Sequence, residues 1–352
     1  MTNYLAFKNA SKNNCSHRFL LAKFNVDYIV KFPTAGGIKQ ALSNLSIPET
    51  VTIDTERENE RRMDKVYDRI VESIHMQPRD IKKYAFRALS WIGYATRTFT
   101  VQELLVAISV EAKQYQLNDG DMLGLEDLLD ICNGLIIADG RDVRLVHFSV
   151  RNYLDIHQVI PEDAKEMYRA IVCCTYLSFD SFQDSFGFQY YAANNLTFHL
   201  SKVERRHYSE TTGAVLKLLE DKGHRLFYCR ANHKLRRLTE IPRLNLACAI
   251  GYEDAVRTLL EDGGVDVNAE DTTYRLTSLS WALVMGHEAV AKRLVGEDRV
   301  DRNYEDIMGR RPLTLAIWQK NKENVQLLLE KGAEVNYTFV MVSQSSHIRP
   351  QC

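Results

Sequence analysis

A chain of 352 residues with 45% hydrophobic content is long enough to bury more than one core. Its 45 Lys plus Arg offset 46 Asp plus Glu, and a net charge of -1 excludes a global pull toward nucleic acid or an anionic membrane. Seventeen glycines and seven prolines exclude collagen-like and long low-complexity stretches. The seven cysteines (Cys15, Cys132, Cys173, Cys174, Cys229, Cys248 and Cys352) are odd in number and form no C-x-x-C pair. Neither a disulfide framework nor a zinc site follows, and reduced, buried thiols are expected. The N-terminus lacks the apolar core of a signal peptide, and no stretch approaches the ~18 apolar residues of a membrane span. A cytoplasmic location is the expectation.

The first periodic segment runs from Glu56 to Val71. Met63, Val66, Tyr67 and Ile70 fall at i, i+3, i+4 and i+7, the spacing of an amphipathic helix with a charged outer face. A second apolar helix is predicted over Ala85–Ala95. A third is predicted after Thr98-Phe99, where Thr100 is a candidate N-cap and Glu103 completes a capping box. A further helix is expected over roughly Leu123–Cys132. The period then changes: residues 135–139, a Gly140-Arg141-Asp142 turn and residues 143–147 read as a hairpin. A helix resumes at Phe148–Leu154. Three helices followed by a hairpin is the order of a winged helix.

Toward the C-terminus the sequence repeats. Segments beginning at Leu244, Leu279 and Leu313 align, with Ala247, Ala282 and Ala316 at one shared position and Asn268, Asn303 and Asn336 at another. The period is 33 to 35 residues. Arg311-Pro312-Leu313-Thr314 opens the third copy and Gly332-Ala333-Glu334-Val335-Asn336 closes it. In this period and opening, the segment resembles the ankyrin repeat. The alanines let two antiparallel helices approach. Gly251, Gly286 and, in the third copy, Asn321 are expected to take the left-handed turn between them. One such unit cannot bury its apolar face alone, so stacking supplies the core.

A second resemblance covers Trp91–Leu154. Ala95, Arg97, Thr100, Glu103 and Leu104, then Cys132, Gly134, Leu135 and Ile136, then Val143, Leu145, Val146, His147, Ser149, Val150, Tyr153 and Leu154 carry it. In these residues the chain resembles the winged-helix segment that follows the NTPase core in NACHT–ankyrin proteins of filamentous fungi, signal-transduction ATPases with numerous domains. Thr98-Phe99 departs from the family's Pro-Leu. The same segment is similar to the winged-helix region named after a GPI inositol-deacylase, a name that implies no deacylase chemistry. The resemblance extends to Phe19–Lys23, to Leu45–Pro48 and to Tyr190–Asn195 with His199. It implies a mostly α chain: a helical remnant over 1–55 after a missing NTPase core, a winged-helix-like domain with a small β-hairpin over 56–160, a helical linker over 161–240, about three ankyrin repeats over 241–338 and a tail over 339–352.

The residues supply no catalytic constellation. A P-loop needs Gly-Lys, which the chain lacks, and Ala35-Gly36-Gly37-Ile38-Lys39 has neither the spacing nor the hydroxyl. A Ser/His reading of His147 and Ser149 would need an acid and a G-x-S-x-G elbow, and the elbow is absent. Asp119 and Asp121 lack the remaining ligands of a calcium loop, and His199 and His207 lack cysteine partners for zinc. Neither a cofactor nor a metal is expected, and the chain is read as no enzyme. Residues 222–238 carry Lys222, Arg225, Arg230, Lys234, Arg236 and Arg237 without an acid, which leaves nucleic-acid binding as an alternative. Against it, the helix over Leu123–Cys132, where a winged helix would read DNA, is acidic. The leading expectation is a protein partner held by the hairpin tips and first helices of the repeats, with Tyr274, Arg275, Trp281, Arg310 and Trp318 as candidate contacts.

Overall fold

The computed structural model describes Phe24, Thr34 and residues 56–336, other than 113, 115, 118, 119, 121, 161 and 180–186. The expectations for residues 1–55 (those two residues aside), for Asp119 and Asp121, and for the tail over 339–352 lie outside the described residues. By contacts the chain divides into two units, residues 1–101 with 123–160 and residues 102–122 with 161–352.

The first unit is built on helices α1 (Glu56–His75) and α2 (Arg79–Tyr94). Of the periodic positions of α1, Met63, Val66 and Tyr67 are buried and Ile70 is half-buried, while Val71 and Ile74 complete the buried face. On α2 Leu89 and Trp91 are enclosed, and Trp91 meets Phe99 edge to face at 5.6 Å between ring centres. The helix α4 (Leu125–Ile131) contributes Leu128 to this core. The expected hairpin is present as β2 (Ile136–Asp139) and β3 (Asp142–Leu145), with Asp139 opposite Asp142. Gly140 has φ +63 at the first turn position, the conformation that a two-residue turn of the II′ kind demands of glycine. The sheet has one strand more than the sequence suggested. Phe99–Thr100 forms β1, antiparallel to β3, so the strand order is β1-β3-β2. Two residues carry too short a pattern for alternation to be read. Thr100 therefore ends a strand and directly precedes α3 (Val101–Ser109).

Helix α5 (Phe148–Ile156) closes the unit and explains His147. The His147 imidazole caps α5: its Nδ1 accepts from the Ser149 amide at 3.2 Å and lies 2.7 Å from the Ser149 hydroxyl. Tyr67 reaches the same hydroxyl at 2.8 Å, and the Tyr153 hydroxyl donates to Asp68 at 2.6 Å. The Ser/His pair thus joins α5 to α1.

In the second unit, α3 is buried on all sides, with Leu104, Val106, Ala107 and Ile108 fully enclosed. The helices α6 (Glu162–Leu177), α7 (Phe188–Lys202), α8 (Tyr208–Glu220) and α9 (Lys222–Ala231) follow. Buried between α6 and α7 is a polar group: Glu166 accepts from Arg169 at 2.7 Å and from His199 Nδ1 at 2.7 Å. The Tyr191 hydroxyl lies 3.0 Å from His199 Nε2. Arg169 and His199 are fully enclosed. Burial opposes the charge of Glu166, but the hydrogen bonds from His199 and Arg169 outweigh it and hold the carboxyl at about 2. For His199, burial dominates and pushes the imidazole down despite the carboxylate beside it.

The basic stretch is partly consumed by structure. Arg225 donates to the carbonyls of Leu219 and Glu220 at the end of α8 and to that of Ile241, and Lys222 pairs with Glu240 at 2.7 Å. Arg230, Lys234, Arg236 and Arg237 are exposed.

Three helical hairpins complete the unit: α10 (Arg243–Ile250) with α11 (Glu253–Glu261), α12 (Ser278–Met285) with α13 (Glu288–Gly296), and α14 (Pro312–Trp318) with α15 (Lys322–Glu330). Ala247, Ala282 and Ala316 are fully buried, as close helix approach requires. Gly251 and Gly286 take the left-handed turn at φ +81 and +77. In the third repeat that turn falls on Lys320, φ +57, and not on Asn321. The turn lies four residues after the alanine in each copy, and Asn321 instead caps α15, its side chain accepting from the Asn324 amide at 2.8 Å. Cys132, Cys173, Cys174, Cys229 and Cys248 are buried free thiols, and burial pushes Cys132 and Cys229 up to about 12. Cys15 and Cys352 lie outside the described residues.

Candidate interaction surface of the repeats

The repeats are joined by side chains that satisfy backbone groups of the neighbouring copy. His287 Nε2 donates to the Ala249 carbonyl at 3.0 Å, and Gln319 Nε2 donates to the Val284 carbonyl at 2.7 Å. Both carbonyls lie near the C-terminal ends of inner helices, where intrahelical partners run out. The recurrent asparagines do the same between loops. Asn268 accepts from the Asp301 amide at 2.8 Å and donates to the Arg299 carbonyl at 2.9 Å, and Asn303 accepts from the Glu334 amide at 2.9 Å.

Two buried aspartates tie the loops that lead into α12 and α14. Asp271 accepts from the amides of Thr273, Tyr274 and Leu276 and from the Trp281 indole at 3.1 Å. Asp306 accepts from the amides of Met308 and Arg310 and pairs with the Arg310 guanidinium at 2.5 Å. Trp281 is 3% exposed and Arg310 2% exposed. The two residues nominated as contacts are therefore enclosed, with their polar groups directed into these loops. They shape the surface without furnishing it.

Tyr274, Arg275 and Trp318 stand differently. Tyr274 is half-buried and packs edge to face on Trp281 at 6.3 Å. Its carbonyl accepts from the Ile307 amide at 3.0 Å, which links one loop tip to the next. Ile307 itself is 60% exposed. Trp318 is 50% exposed beside Ile317, and the Arg310 guanidinium lies 5.5 Å from the centre of its ring. Arg275 is the strained member. It has φ +56, a left-handed conformation that the next loop gives to Gly309 at φ +72. The strain is held by a fixed constellation: Arg275 Nε donates to Glu270 at 3.0 Å, its Nη2 donates to the Tyr304 hydroxyl at 3.0 Å, and that hydroxyl donates to Glu270. The hydrogen bond from Tyr304 is the largest influence holding the Glu270 carboxyl below its ordinary value, with Arg275 adding to it.

The loop tips thus present Tyr274, Arg275 and Ile307, and the last turn of α14 presents Ile317 and Trp318. The sequence reading missed Tyr304, Ile307 and Ile317. The signal was present for Ile307, an apolar residue one position after the aspartate that ties its loop, where the chain must turn toward solvent.

No described helix is long and apolar enough to cross a membrane. No curated protein matches the chain. Residues 71–166 match the winged helix domain of GPI inositol-deacylase, and residues 244–338 match ankyrin repeats in three copies. The chain therefore carries a winged helix domain of the GPI inositol-deacylase type followed by three ankyrin repeats.

Proposed function

We propose that the protein is a non-catalytic interaction molecule that binds a protein partner on the loop-tip surface of its ankyrin repeats. The observation that carries this reading is the constellation at Arg275. A non-glycine residue persists in the left-handed region only where its surroundings hold it, and such positions cluster at binding sites. Here the strained arginine follows Tyr274, whose carbonyl holds the Ile307 amide of the next loop tip, and Trp318 stands exposed at the end of α14; aromatic and arginine side chains dominate protein interfaces. The experiment is affinity capture with the purified full chain, followed by a direct titration of the captured partner against Arg275→Ala and Trp318→Ala. A tenfold or greater loss in either variant supports the surface, and unchanged affinity in both removes it.

The winged-helix match ahead of the repeats favours a second, finer reading: the chain is the portion C-terminal to the NTPase core of a NACHT–ankyrin signalling protein. In that form it acts as the regulatory part of an NTP-driven switch, with an ATPase core supplied in trans or by a longer gene product. Labelled ATP with magnesium tests it. The chain by itself is expected not to bind, and tight magnesium-dependent binding would mean that it holds a nucleotide site of its own. Nucleic-acid binding through residues 222–238 is the weaker alternative, because Lys222 and Arg225 are engaged within the fold and α4 carries Glu126, Asp127 and Asp130.

A further inference from the structure

The winged-helix unit contains an open cavity of about 450 Å³ between the end of α2, strand β3 and the start of α5. Its deepest residues are apolar: Phe99 and Val143 are each 1% exposed, and Gly93 is buried. Gly93 lies in the last turn of α2, where glycine costs about 1 kcal/mol relative to alanine. A Cβ added there would meet no atom of a neighbouring element within 4 Å. The helix thus leaves the cavity open at a position where almost any other residue would fill it.

The rim is basic. Arg97, Arg144 and Arg151 line the cavity, and no Asp or Glu does. Arg97 lies over the Phe99 ring at 5.7 Å and Arg151 over the Tyr94 ring at 5.4 Å, so both planar heads are propped against aromatic faces. The acidic neighbours of Arg144 and Arg151 stand outside the lining: Asp139 pairs with Arg144 at 3.6 Å and Asp155 with Arg151 at 3.9 Å, on exposed side chains where such pairs contribute little and a ligand carboxylate can share the guanidinium. Phe148, Arg151 and Asn152 fall at i, i+3 and i+4 on α5 and share one face. Phe148 is 51% exposed at the edge.

We propose that this cavity docks an acidic segment of a partner protein, with one apolar side chain in the Gly93 cavity and flanking carboxylates on Arg97, Arg144 and Arg151. Guanidinium groups suit carboxylates because their forked donors engage both oxygens. The apolar base selects a peptide with a buried anchor over a bare anion. A continuous phosphate backbone fits less well, since it offers no apolar side chain to the base formed by Gly93, Phe99 and Val143. The site is separate from the repeats and does not depend on the reading given to them.

The test selects binders of the full-length chain from a displayed library of random twelve-residue peptides, then titrates the best against variants. Gly93→Leu fills the cavity with a better helix former, and its thermal melting checks that the fold is kept. Arg144→Glu reverses one exposed rim charge. The expected result is peptides rich in Asp and Glu around an apolar residue, with affinity reduced tenfold or more in each variant. Selected peptides without acidic residues, undiminished affinity in Gly93→Leu, or the absence of any selected peptide would overturn the proposal. So would a labelled single-stranded oligonucleotide whose binding is lost in both variants, because it would assign the cavity to phosphate.

Discussion

The ring of His287 lies directly over the Cα of Gly251, in the space a side chain at Gly251 would occupy, while its Nε2 donates to the Ala249 carbonyl. One glycine thus serves two purposes. It takes the left-handed turn between α10 and α11, and it leaves room for the residue that joins the first repeat to the second. Gly251→Ala is expected to destabilise the chain by about 2–4 kcal/mol, the sum of left-handed strain and overpacking. Urea unfolding would measure it. His287→Ala in the same background should recover part of the loss, and strict additivity would show that the ring and the glycine are not coupled.

Lys320 predicts the opposite sign. It occupies the turn position that Gly251 and Gly286 fill elsewhere, with a side chain where glycine is preferred. Lys320→Gly should stabilise the third repeat by up to about 1 kcal/mol, the relief of left-handed strain less the added freedom of the unfolded chain. A shift of the urea midpoint to higher concentration without a change in slope is the expected signature. A lower midpoint would mean that the lysine side chain holds the turn by other contacts.

The buried polar groups set a pH response. The folded state holds Glu166 at about 2, so its contribution is present above the ordinary carboxyl value of 4.5 and is lost as pH falls from there toward 2. His199 and His287 are both pushed down by burial. The unfolded chain takes up their protons first, so stability falls as pH drops below the ordinary value of 6.5. Stability should therefore decline in two stages on acidification, the histidines acting before the carboxylate. His287→Gln, which leaves the His199–Glu166 contact in place, should weaken the first stage in thermal melts between pH 7 and 5 and leave the second.

Substitutions in the repeats should separate into two classes. Trp281→Ala removes an enclosed indole and its bond to Asp271, and should destabilise by about 3–5 kcal/mol. Arg310→Met leaves the buried Asp306 carboxylate without its cation, at about 3–5 kcal/mol. Any loss of partner binding in these two variants would follow from unfolding. Ile307→Glu and Trp318→Ala change exposed side chains, so melting should move by little while partner affinity falls. Comparing melting with titration for all four variants decides whether the loop tips and the end of α14 form the contact surface.

The exposed basic residues give a simple check on nucleic acid. Arg230, Lys234, Arg236 and Arg237 could neutralise only a few phosphates, so binding to random DNA should be weak and its salt dependence shallow. A steep dependence, abolished by Arg236→Glu with Arg237→Glu, would restore the alternative.

Local spacing by itself determined the repeats and the helix order. The recurrence of Ala247, Ala282 and Ala316 identified where helices touch, because only a small residue permits that approach. The hairpin over 136–145 was legible from its change of period and its Gly140 turn. What depended on contacts distant in sequence was decided only by the tertiary structure. Phe99–Thr100 becomes a strand because β3 lies beside it. Above all, Trp281 and Trp318 look alike in sequence, yet one is enclosed by the knot at Asp271 and the other stands open beside Ile317. Composition and spacing state which side chains are suited to binding, and burial, which depends on what packs around each of them, selects those that can reach a partner.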